Sequence, residues 1–317
     1  MTQPAGFPDF FVVGAPRCGT TSLCRYLAHN PQICFSRPKE PHYFSRISAL
    51  PLERELQGDY IERYFGHRDA GHCVAGEGSV SYLYLPEAIE RIRHFNPAAR
   101  FIAMLRNPLS MLPSYHLKMR FMLLEDEADF SRAWNLQEAR ARGECVPRHC
   151  PDIRLLMYGE VARFGAQIER LFGVAGRDRT HLIVFDDFVA DPQATYRRAL
   201  EFLGVDDDGQ TLFFPKNESR IYRYRWLQQW LLRAAPGGGS GKKIEQRVER
   251  KTELAKRNGS KKKAWIKSLA EWNWVPAAPA PLAPEMRAVV ADTLRPDIEL
   301  LSRLLQRDLG FWLAGLA

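Results

Sequence analysis

The stretch Phe11-Val-Val-Gly-Ala-Pro-Arg-Cys-Gly-Thr-Thr-Ser22 constrains this chain more than any other. An apolar run of strand length ends in two glycines separated by four residues, and a hydroxyl-rich helix start follows. Strand, glycine loop and helix form the opening unit of an open α/β sheet, in which backbone N–H groups and the helix dipole face an anion. A nucleotide triphosphatase loop keeps this glycine spacing but places Lys and then Ser or Thr after the second glycine. Here Gly14 and Gly19 keep the spacing, Thr20 stands where the lysine would be, and Arg17 is the loop's only cation. The loop is therefore expected to hold a phosphate on its helix N-terminus without the lysine of a triphosphatase.

Strand and helix signals repeat along the chain. Strands are expected at 9–13, 72–77, 100–105 and 181–185, and helices at 20–29, 86–95, 153–172, 192–203 and 284–309. Asn30-Pro31 and Asn96-Pro97 stop two of the helices, and Asp191-Pro192 caps and starts a third. A weaker helix is expected over 133–142. The stretch 33–44, broken by proline, reads as a loop carrying Arg37, Lys39, Glu40 and His42 beside aromatic residues. This alternation predicts an α/β fold with an open, mostly parallel sheet flanked by helices. The strand at 100–105 delivers Arg106 to its carboxyl end, where ligands of such sheets bind. Ser114 follows about two helical turns later, and the two are expected to grip a second phosphate.

The 317 residues read as one domain, with an insertion at 125–150 and a basic segment at 236–283. Net charge is +8, but its source is local: Lys242 to Lys267 carries eleven Lys and Arg against three Glu, leaving 34 of each sign elsewhere. No apolar run is long enough to span a membrane and no leader pattern opens the chain, so a cytoplasmic protein is expected. The six cysteines are scattered and read as reduced thiols. Cys145, His149 and Cys150 lie close in sequence, but a tetrahedral metal site needs a fourth ligand, so no metal is expected.

With these residues in place the sequence resembles the sulfotransferases that use 3′-phosphoadenosine 5′-phosphosulfate (PAPS), in the branch holding heparan sulfate and many bacterial enzymes. Gly14-Ala-Pro-Arg-Cys-Gly-Thr-Thr-Ser-Leu23 is similar to the family's 5′-phosphosulfate loop, and Lys39-Glu-Pro-His-Tyr-Phe44 to its acidic loop. Gly76-Glu-Gly-Ser-Val-Ser-Tyr82 is similar to its Gly-Glu-Lys-Ser-Pro segment, and Arg106-Asn-Pro with Ser114 to its 3′-phosphate motif.

The resemblance implies a P-loop-like fold, PAPS as cosubstrate, PAP as product, and no metal. It assigns Arg17, Cys18, Gly19, Thr20, Thr21, Ser22, Arg106 and Ser114 to the nucleotide. Arg17 stands where the family's catalytic lysine touches the bridging oxygen. Glu40 matches the general base, with His42 as the alternative. The acceptor implied is a hydroxyl or amine of a carbohydrate, lipid or other small molecule, and a bacterial enzyme fits better than a Golgi one. Gly78 and Val80 depart from the pattern, which carries Lys and Pro there, and this weighs against a heparan-like acceptor.

Two rivals share parts of the pattern. A P-loop kinase would need a magnesium carboxylate, with Asp186 and Asp187 as the only strand-end pair on offer. The basic, aromatic stretch 220–267 suits nucleic acid or an anionic surface, although no nucleic-acid partner is expected. The preferred reading of that stretch is a lid that attracts PAPS or an acidic acceptor. Oligomeric state is not readable from the sequence.

Overall fold

Five strands, β1 (Phe10–Gly14), β2 (Ile33–Phe35), β3 (Val74–Gly78), β4 (Arg100–Leu105) and β5 (Thr180–Val184), form one sheet in the order β2-β3-β1-β4-β5. The computed structural model describes residues 7–46, 54–214, 219–234 and 268–314. Every pairing in this sheet is parallel, with Phe11 opposite both Glu77 of β3 and Phe101 of β4. β1 is central and buried along its whole length, as its unbroken apolar sequence requires of a strand covered on both faces. The chain divides into two units. The first comprises residues 1–111, 163–217 and 293–317 and contains the sheet; the second comprises 112–162 and 218–292.

In the first unit, the order β3-β1-β4 places a topological switch point between β1 and β4, where loops leave in opposite directions and open a crevice. The loop after β1 and Arg106 after β4 both sit at that point. The helices Thr20–Leu27, Pro86–Phe95, Phe164–Ala175 and Pro192–Leu203 belong to this unit. Asp191 caps the last of them by accepting from Ala194 N at 2.8 Å, and Gly204 ends it in a left-handed turn at φ 65°. One aromatic cluster, Phe7, Phe11, Phe44, Tyr60, Tyr82 and Phe95, fills the space beside β1.

The second unit holds the short helices Phe130–Asn135, Gln137–Ala141 and Tyr158–Ala162, the helix Arg225–Ala234, and the antiparallel pair β6 (Arg220–Tyr222) and β7 (Trp274–Pro276). Its interior contains an ion pair. Arg140 grips Glu125 through two bonds of 2.8 Å, with both side chains 0% exposed.

The structure corrects several expected elements. The continuous helix 153–172 is broken into a 3-10 turn at Ile153–Leu156 and the helices Tyr158–Ala162 and Phe164–Ala175. Its apolar spacing is helical throughout, but Gln137 Oε1 takes the N–H of Gly159, and Asp297 takes those of Gly165 and Ala166. Each acceptor starts a new helix where the pattern alone would continue one. The expected 133–142 helix is likewise two short ones. Additional elements include the edge strand β2, the helices Arg54–Phe65 and Arg225–Ala234, and the β6–β7 pair. The strongly basic part of the expected 236–283 segment, including Lys242, Lys243 and 259–263, lies outside the described residues.

Candidate active site

The loop between β1 and the helix Thr20–Leu27 has a backbone that few residues adopt. Arg17 takes φ 62° and Gly19, the residue before the helix, φ 89°. A Cβ at Gly19 would lie 3.1 Å from the Phe185 ring, so glycine is favoured by its left-handed conformation and by the tight space. Ala15 N donates to Met104 O of β4 at 2.6 Å, which fastens the loop to the neighbouring strand. Cys18, Thr20 and Ser22 are buried. Burial pushes the Cys18 thiol up to about 12, so it is no thiolate nucleophile and only its backbone is available to a ligand.

Arg106 reaches this loop from the end of β4. Its guanidinium donates to Arg17 O at 3.3 Å and to Ser110 Oγ at 3.2 Å, and lies over the Phe185 ring at 4.6 Å from the centroid. Asn107 fixes the next turn by donating to Trp312 O at 2.9 Å. Two cations thus stand together: burial lowers the pKa of Arg17, and the charge of Arg106 lowers it further. Such a pair is unfavourable by itself, and an anion seated against it relieves the repulsion. The residues present therefore fit a phosphate or sulfate group. Ser114 is buried on the part of the helix Pro108–Phe121 that belongs to the second unit, and it is not among the residues the first unit brings together.

The loop after β2 carries Lys39, Glu40 and His42. Lys39 Nζ lies 2.6 Å from Glu40 Oε1, and His42 Nε2 lies 3.4 Å from Glu40 Oε2. Burial pushes the Glu40 carboxyl up, but the Lys39 ammonium and the hydrogen bond and charge of His42 outweigh it. The group ends far below the usual carboxylate range. The Lys39 contact is the ion pair that a purely structural Glu40 would make, and it coexists with the His42 contact. His42 Nδ1 is 2.7 Å from Ser81 Oγ, and Arg17 and Glu40 are close enough to interact electrostatically.

Sequence reasoning passed over two groups here. Glu77 of β3 is 0% exposed and accepts from Ser79 Oγ at 2.6 Å and from the Tyr60 hydroxyl. The signal for Glu77 was a lone acid inside the small, apolar run Val74-Ala-Gly-Glu-Gly78. Tyr60 gave none, because its helix was not expected.

Asp186 and Asp187, the pair a kinase would need, are otherwise engaged. Asp187 holds Arg307 through contacts of 2.5 and 3.0 Å, and Asp186 accepts from the Trp312 indole at 3.1 Å.

A family model described as the sulfotransferase family matches residues 83–209. Human carbohydrate sulfotransferase 15 is 29% identical over 35% of this chain and 27% of its own length. Mouse bifunctional heparan sulfate N-deacetylase/N-sulfotransferase 4 is 25% identical over 62% of this chain and 22% of its own. The chain thus spans about a quarter of the length of the curated relatives it matches. The crystal structure of a sulfotransferase from Alicyclobacillus acidocaldarius superposes with a TM-score of 0.63 at 25% identity, covering 96% of this chain and 98% of that one.

Proposed function

Taking as premise that the chain is a sulfotransferase-family protein, we propose that it transfers the sulfuryl group of PAPS to a hydroxyl or amine of an acceptor by in-line displacement. The observation that carries this reading is the pairing of Arg17 and Arg106 at the switch point, in a loop that has no triphosphatase lysine. Arg17 faces the 5′-phosphosulfate and stabilises the charge gathering on the departing phosphate, as a preorganised cation. Arg106 holds the 3′-phosphate. The donor supplies the activated sulfuryl group. The carbohydrate acceptors in the relatives' names support a carbohydrate acceptor here, and among the described residues no helix is long and apolar enough to cross a membrane.

Glu40 is the proposed base that takes the acceptor's proton as oxygen or nitrogen attacks sulfur. Its low proton affinity favours a second reading, in which His42 takes the proton and the imidazolium is held between Glu40 and Ser81. Glu40→Gln is expected to lower kcat by about 100-fold or more while leaving the affinity for PAP nearly unchanged by isothermal titration calorimetry. Retained turnover would move the base to His42 or to the substrate. Magnesium-dependent ATP hydrolysis in place of PAP binding would refute the sulfotransferase reading.

A further inference from the structure

We propose that Glu77 is a positioning residue: its buried carboxylate sets the hydroxyl direction of Ser79, and through it fixes the backbone of the loop that carries Glu40 and His42. This rests on the sulfotransferase reading for its catalytic consequence, but its structural part stands apart from it.

The argument starts from the strand. All five residues of β3 are buried, and a carboxylate at such a position is costly unless its oxygens are bonded. Glu77 accepts from two hydroxyls, Ser79 on Oε1 and Tyr60 on Oε2. Burial pushes its carboxyl up, and these bonds work against that rise. An ionised carboxylate only accepts, so each hydroxyl must spend its single proton on Glu77. Each is then left with lone pairs and no proton to point elsewhere.

The Ser79 lone pairs meet the loop. Ser79 Oγ accepts from His42 N at 2.9 Å, and the Tyr82 hydroxyl accepts from Phe44 N at 3.2 Å. His42 has φ 51°, in the left-handed region that a residue with a side chain occupies only when its surroundings hold it there. Gly78 N also donates to Lys39 O at 3.3 Å, so the end of β3 grips the loop at three places. The proton order Glu77 to Ser79 hydroxyl to amide is what keeps an acceptor on His42 N.

Glu77→Leu keeps much of the volume and removes both acceptor oxygens, so the Ser79 proton loses its partner and is free to turn toward His42 N. Ser79→Ala removes one link outright, and serves should the first variant fold poorly.

The experiment uses the full chain with three readouts: backbone and imidazole ¹⁵N resonances of His42, PAP affinity by calorimetry, and turnover of ³⁵S-labelled PAPS with a panel of glycan acceptors. For Glu77→Leu the His42 amide signal is expected to move, PAP affinity to stay within about twofold and kcat to fall on the order of tenfold, with the KM for PAPS unchanged. Ser79→Ala should reproduce the loss, and the double variant should be no slower than the slower single one, because both act through one link. An unmoved His42 signal in Glu77→Leu, or losses that multiply in the double variant, would overturn the proposal. Wild-type protein that neither binds PAP nor uses PAPS would sink the sulfotransferase reading instead, and the resonances would still decide whether Glu77 orders the loop.

Discussion

Replacing Arg140 with Met isolates a buried charge whose surroundings are fully described. In the wild type, Glu125 receives two bonds of 2.8 Å from Arg140, one of 2.7 Å from the Tyr158 hydroxyl, and backbone bonds of 2.9 Å from Asp126 and Glu127. Arg140→Met fills much of the volume but leaves the carboxylate buried with neutral donors alone. Removing one partner of a buried pair costs about 3–5 kcal/mol, and the remaining donors place this case toward the lower end. For a unit of this size the unfolding midpoint is expected to fall on the order of 10 °C. Trp134, Trp226, Trp230, Trp272 and Trp274 belong to the second unit and Trp312 to the first, so tryptophan fluorescence during thermal or urea unfolding, followed in a Trp312→Phe background, reports on the second.

The pH dependence supplies the sign. Burial pushes the Glu125 carboxyl up, but its bonds to Arg140 and Tyr158 bring it below its ordinary value. A depressed carboxylate contributes stability that is present above the unfolded pKa and lost as pH falls through the folded pKa. Without Arg140 the buried acid is pushed upward instead, so the variant's folded state gains a proton before its unfolded state does. The gap between wild type and variant should be widest near neutral pH and narrow below about pH 4, near the unfolded value. A loss under 1 kcal/mol, or a gap that does not change with pH, would refute the account of this pair.

Two further outcomes concern the nucleotide grip. Arg106→Ala is expected to weaken PAP roughly 10- to 200-fold, the worth of a charge-assisted bond to a phosphate, and to leave adenosine 5′-phosphate binding little changed in the same calorimetric assay. Gly19→Ala forces a side chain into φ 89° against the Phe185 ring, at a cost of about 1–2 kcal/mol for the conformation alone. The expected result is a lower unfolding midpoint together with weaker PAP binding, because that ring also supports Arg106.

What the sequence determined by itself is local. The apolar strand, the glycine spacing and the hydroxyl-rich helix start predicted β1 and its loop to within a residue, and the next strand end delivered Arg106 where it stands, because strand length, turn chemistry and helix caps are written in neighbouring residues. Arg37, Lys39, Glu40 and His42 were legible as a charged cluster in a proline-broken loop beside a phosphate cradle, and the family resemblance singled out Glu40, with His42 as the alternative.

Only the tertiary structure decided what surrounds them. Lys39 pairs with Glu40 although either Lys39 or Arg37 was available, and Tyr60, from a helix that periodicity did not reveal, bonds Glu77 from seventeen residues away. The three-residue strand β2 is too short to carry a pattern and exists because β3 offers it hydrogen bonds. The breaks at Gly159 and Gly165 depend on side chains 22 and 132 residues distant. In each case the sequence supplies a group able to bond in several ways, and the partner is chosen by which acceptor the fold brings within reach.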